Sequence, residues 1–73
     1  MTVYLSAILQ VIPPHVQVTA EHIAKETGQA HDTKLRLRID RLVRAGFVRK
    51  RKIGVLNQYA LTPSGVKAQE ENS

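Results

Sequence analysis

The sequence predicts a small α+β domain, with three helices and a short antiparallel sheet, and three observations carry that expectation. Seventy-three residues with no cysteine make one domain close to the size at which a single core suffices, with no disulfide framework to help it. Leu35, Ile39, Leu42 and Val43 fall on one stripe of a helix at about 100° per residue. Phe47–Ile53 and Gln58–Leu61 flank a turn around Gly54–Asn57, which reads as a hairpin.

Each element has a local reason. Thr2, Ser6 and Gln10 recur every four residues among apolar neighbours, which predicts a helix over 2–12 with one narrow polar stripe. Pro13 and Pro14 end it, because a residue that precedes proline is pushed out of the α region. Residues 15–18 alternate polar and apolar, with Val16 and Val18 on one side, and predict a short strand. Thr19 then caps a helix over 20–27, where Glu21 suits the positive N-terminal end and Gly28 is a C-cap candidate. A third helix over 32–45 ends at Gly46. Thr62 and Pro63 have the residue types of a helix cap and first turn, so the chain turns helical again after the hairpin. The domain is expected to occupy residues 1–68, with 69–73 as a frayed polar tail. Ile8, Ile23, Leu35, Ile39, Leu42, Phe47 and Leu61 are the expected core.

Charge is distributed unevenly along this frame. Nine of the eleven Lys and Arg residues lie between Lys34 and Lys52, with Asp40 as the one acid among them. That segment carries +8, whereas two bases and five acids give the rest −3. Cations gathered into one helix and the strand after it are the electrostatic footprint of a nucleic-acid binder. Other chemistries lack their residues. His15, His22 and His31 have neither metal-ligand spacing nor cysteine or carboxylate companions, so no metal site is expected. No nucleophile motif, glycine-rich phosphate loop or separated carboxylate pair is present, so neither an enzyme nor a cofactor is expected. The apolar run 3–12 is too short to span a bilayer, and the cysteine-free composition suits a cytoplasmic protein.

The run TAEHIAKETG, followed by LRLRIDRLVRAGFVRKRK and YALTPSG, resembles the winged helix-turn-helix of MarR/PadR-type bacterial regulators. The shared pattern is Ile23-Ala24 in the second helix, Gly28 at the turn and the Leu35, Ile39, Leu42 ladder. It continues with Ala45-Gly46-Phe47-Val48 leading into the wing, and with Tyr59, Leu61, Thr62, Pro63 and Gly65 closing it. The likeness covers about residues 16–66. Three departures accompany it. The turn between the second and third helices is one residue longer than usual, Val55-Leu56 replace an Asp-x-Arg wing tip, and the long dimerising helices are missing. The resemblance thus implies a minimal DNA reader of the kind a small prokaryotic, phage or plasmid transcription regulator carries, with no small-molecule effector evident.

In that fold the second helix of the pair enters the major groove with its N-terminal residues toward base edges. Arg36 and Arg38 lie on the two flanks of the helix; mapped here, Thr33, Lys34, Leu37 and Arg38 are placed for bases, and Arg41 and Arg44 lie nearer phosphate. Arg49, Lys50, Arg51 and Lys52 on the wing strand would meet the sugar-phosphate backbone, and Asn57 and Gln58 the minor groove or backbone. Leu37, apolar amid a basic face, suits a thymine methyl. Double-stranded DNA is the expected partner, with a homodimer through helix 2–12 as a further candidate. The alternative is a winged-helix module that binds protein as an adaptor or inhibitor, using Leu37, the apolar wing tip and the apolar first helix.

Overall fold

The computed structural model describes residues 2–71. Four helices and three strands follow one another as α1 (Val3–Val11), β1 (Val18–Thr19), α2 (Ala20–Thr27), α3 (Thr33–Arg44), β2 (Val48–Ile53), β3 (Leu56–Leu61) and α4 (Pro63–Glu71). The sheet order is β1-β3-β2, all antiparallel. Short polar side chains start all four helices, Thr62 at α4 among them. Thr2 Oγ1 accepts from the Leu5 N–H, Thr19 Oγ1 from the His22 N–H and Asp32 Oδ1 from the Leu35 N–H. Each satisfies one of the donors that a helix start leaves open, an arrangement that stabilises by about 1 kcal/mol.

The core runs between the helices and one face of the sheet. Ile8, Leu9, Ile12, Ile23, Leu35, Ile39 and Leu42 are buried, joined by Val18, Val48, Tyr59 and Leu61 from the strands and Ala68 from α4. Removing a buried Leu or Ile from such a cluster costs about 2–5 kcal/mol. The ladder on α3 therefore fixes which side of that helix faces solvent. Much of the broad apolar face of α1 is consumed in the same cluster, through Ile8 and Leu9, with Ile12 just past its end and Leu5 and Val11 half-buried.

Four expectations need correcting. The strand over 15–18 is absent apart from Val18, because the diproline leads into a turn. There His15 takes φ 66° and the Val16 N–H reaches back to the Pro13 carbonyl at 3.4 Å. Pairing begins only at Val18, opposite Tyr59, and Val16 is exposed. Phe47 is only half-buried; the strand starts one residue later, so Val48 points inward. The hairpin loop is shorter than expected. Ile53 pairs with Leu56 and Lys52 with Asn57, which leaves Gly54 and Val55 as a two-residue connection. Gly54 at φ 63° supplies the left-handed backbone that such a loop requires at its first position. The helical restart at Thr62 and Pro63 is present as α4. Finally, the boundary at 68 falls inside α4, which continues through Glu71; residues 72–73 of the expected tail lie outside the described residues.

Gln69 explains why that helix does not fray there. Its Nε2 donates to the Leu9 and Ile12 carbonyls, at 2.9 Å each, and the Gln10 Nε2 donates back to the Gln69 carbonyl at 3.0 Å. One side chain thereby satisfies carbonyls left open at the end of α1. The other end of α4 is tied to the wing. Thr62 Oγ1 donates to the Gly46 carbonyl and accepts from the Gly65 N–H, while the Thr62 N–H donates to the Phe47 carbonyl at 3.0 Å. Gly65 makes this approach possible: a Cβ there would lie 1.9 Å from the Phe47 carbonyl oxygen.

Candidate nucleic-acid interface

The α2–turn–α3 unit and the β2–β3 wing meet on one side of the molecule. Gly28 ends α2 in the left-handed conformation, at φ 70°. Residues 28–32 then carry the chain to α3, whose buried ladder turns the opposite side of the helix outward. On that outer side Thr33, Lys34, Leu37, Arg41 and Arg44 are all exposed. Leu37 is 57% exposed in the middle of them. Lys34, Leu37, Arg38 and Arg41 line a shallow hollow of about 290 Å³ on this surface.

The two flanks of α3 differ. Arg36 is exposed and faces the wing, sharing a cleft with Asn57, Tyr59, Leu56 and the start of α2. Burial pushes the Tyr59 hydroxyl pKa above its ordinary value of 10.0, with Asp40 raising it further and Arg36 opposing. Arg38, on the other flank, is half-buried. Its Nη1 donates to Gln29 Oε1 at 2.8 Å, and its guanidinium lies over the Tyr4 ring with 4.1 Å to the centroid. The sequence assigned Arg38 to base edges alongside Thr33, Lys34 and Leu37. The structure holds it on that flank, between α1 and the turn, where it still borders the outer hollow. Tyr4 and Gln29 carry no local signal for this, since they stand 34 and 9 positions before Arg38 in the chain.

The wing strand distributes its four cations by the pleat. Partners directly opposite in an antiparallel pair share a face. Lys50 and Lys52 therefore stand on the face of Tyr59 and Asn57, toward α3, and Arg49 and Arg51 on the face of Ala60 and Gln58, away from it. All four are exposed, as is Asn57. At the tip, Ile53, Val55 and Leu56 are exposed, Val55 by 93%. The thirteen residues read from the sequence as the interface thus lie on an arc of α3 and a two-faced wing, all of them exposed except the half-buried Arg38 and Gln58.

Among the described residues, no group of three or more His, Cys, Asp or Glu side chains is placed to hold a metal ion. No helix among them is long and apolar enough to cross a membrane.

No family model matches the sequence, and no curated protein does either. Solved structures match over nearly the whole chain. BpsR of Bordetella bronchiseptica, solved in work on how 6-hydroxynicotinic acid regulates its DNA binding, superposes with TM-score 0.87 at 20% identity, over 97% of this chain and 52% of its own. A MarR family transcriptional regulator of Silicibacter pomeroyi gives TM-score 0.84 at 15% identity, over 99% of this chain and 52% of its own. RosR of H. salinarum gives 0.81 at 26%, over 99% of this chain and 70% of its own. The chain thus spans about half the length of the first two. Helix order, sheet order and wing place this chain in the winged helix-turn-helix fold, in a form similar to that of MarR-family regulators.

Proposed function

We propose that the chain binds double-stranded DNA in a sequence-specific manner as the reader domain of a transcription regulator. The observation that carries this reading is the outer face of α3. Lys34, Arg41 and Arg44 surround Thr33 and Leu37 there, on the helix that this fold offers to the major groove. Thr33, Lys34 and Leu37 meet base edges, Leu37 against a thymine methyl. Arg41 and Arg44 meet phosphates, and Arg36 and Asn57 line the cleft between helix and wing. Lys50 and Lys52 face the same duplex, with Arg49 and Arg51 adding longer-range attraction. The DNA binding named for BpsR supports the same reading by likeness of fold.

One recognition helix covers few base pairs, so a full site calls for two copies on adjacent half-sites. Pairing through α1 is part of the proposal, although only its outer residues, among them Val3, remain exposed for it. The test is titration of random and selected duplexes across a salt series. With about five phosphates neutralised, log K should fall against log salt with a slope of about −4 to −5. Binding that ignores salt, or a protein that never binds duplex, would refute the proposal.

A further inference from the structure

Arg38, on the α3 face, is held by two other parts of the chain. Its Nη1 donates to Gln29 in the turn, and the flat of its guanidinium rests on Tyr4 of α1. These two contacts use one donor and one face of the group. An arginine carries five N–H donors around a planar edge, so most of that edge is left over. Arg38 also lines the outer hollow of α3 beside Lys34 and Arg41, so the group that is held from behind borders the recognition surface in front.

We infer that Tyr4 and Gln29 are positioning residues, which hold the Arg38 guanidinium so that its outer edge grips one phosphate of the bound duplex. The inference rests on the DNA-binding reading and adds a part for α1 in it. A free arginine loses side-chain rotamer freedom when it is fixed against a phosphate. Arg38 has given up most of that freedom already, on folding. A planar fork aligned in advance suits the paired oxygens of a phosphate. A lysine at the same position would have no flat face to lay on the ring. Helix α1 thereby contributes to affinity from a place that does not itself touch DNA.

The experiment is a double-mutant cycle on the full chain, with a duplex selected by the parent protein. Affinity is read across a salt series, and each variant is kept below its own unfolding transition. Arg38→Ala is expected to flatten the log–log salt slope by about one unit. Tyr4→Leu is expected to weaken binding roughly two- to fivefold, the scale of a cation–π contact at an accessible site. Tyr4→Phe, which keeps the ring face, should restore parental affinity, and Gln29→Ala should resemble Tyr4→Leu. In an Arg38→Ala background, Tyr4→Leu should cause no further loss. An equal Tyr4→Leu loss in both backgrounds would make the tyrosine a packing residue and overturn the inference. So would an unchanged slope for Arg38→Ala, which would leave the arginine as an internal strap. A parent protein that fails to bind any duplex removes the DNA-binding reading and the inference together, and is distinct from either result.

Discussion

Helix α3 and strand β2 carry similar charge, five cations on the helix and four on the strand, yet present it in different ways. The helix spaces its cations among apolar residues, and its period leaves Lys34, Arg41 and Arg44 on one outer arc, with Arg36 and Arg38 on opposite flanks. The strand packs four in succession, and its period of two sends neighbours to opposite faces. A denser run in the sequence therefore yields a sparser patch in space. Anchorage differs as well. Leu35, Ile39 and Leu42 bury the inner side of α3, whereas β2 buries Val48 alone and leaves its other five residues exposed. The helix is a fixed platform, and the wing is an arm pinned at one end.

The largest effect is expected on the platform. Replacing Lys34, Arg41 and Arg44 together by Gln should flatten the salt slope by about two units, one for each phosphate-facing arginine, and weaken duplex binding by a factor on the order of 100 to 1000. A slope that stays steep would put the DNA on the wing instead. Next comes the pin of the arm. Gly65→Ala drives a Cβ against the Phe47 carbonyl, and overpacking of this kind costs about 1–3 kcal/mol, sometimes more. Chemical denaturation should show the loss, and a stability equal to that of the parent would mean that α4 can retreat from the wing freely.

The two faces of the wing can then be separated. Lys50→Gln with Lys52→Gln should flatten the salt slope by up to about two units, and Arg49→Gln with Arg51→Gln by clearly less. Equal changes for the two pairs would show that the duplex wraps the strand and that the pleat does not select. The smallest effect lies at the seam between platform and arm. Burial holds the Tyr59 pKa above 10.0, helped by Asp40 and opposed by Arg36. The unfolded chain therefore releases the phenolic proton first as pH rises. The stabilisation is complete below the unfolded value and is lost as pH climbs through the raised folded one. Tyr59→Phe should remove that part of the alkaline loss in a pH series of unfolding curves, and an unchanged alkaline profile would clear Tyr59 of it.

The sequence was legible where one local pattern decided the outcome. The four- and three-residue spacing of Leu35, Ile39 and Leu42 set the register of α3, and with it the arc of cations on the other side. Thr19 and Thr62 announced helix starts by residue type. Four residues of alternation after a diproline were too few to specify a strand, because the turn that the prolines impose extends through His15. Phe47 looked like core by size. The inward register belongs to Val48, and this was settled by the pairing with Leu61 across the hairpin. The stacking of Arg38 on Tyr4 and the Gln69 contacts join residues far apart in the chain, so no short window of sequence contains them.

The Gln10–Gln69 seam has a consequence for the order in which the chain folds. The hairpin, the helix-turn-helix and the helix caps join residues a few positions apart, whereas this seam joins positions 59 and 60 apart. Closing a loop of that length forfeits more chain entropy than any of the local steps. The seam is thus expected to form after the rate-limiting barrier, as a clasp fastened on a domain already assembled. Gln69→Ala should then leave the refolding limb of a chevron nearly unmoved and raise the unfolding limb. A mutant that refolds more slowly and unfolds at the parental rate would place the clasp in the nucleus. Fastened last, the seam governs how long the folded domain persists more than how fast it forms.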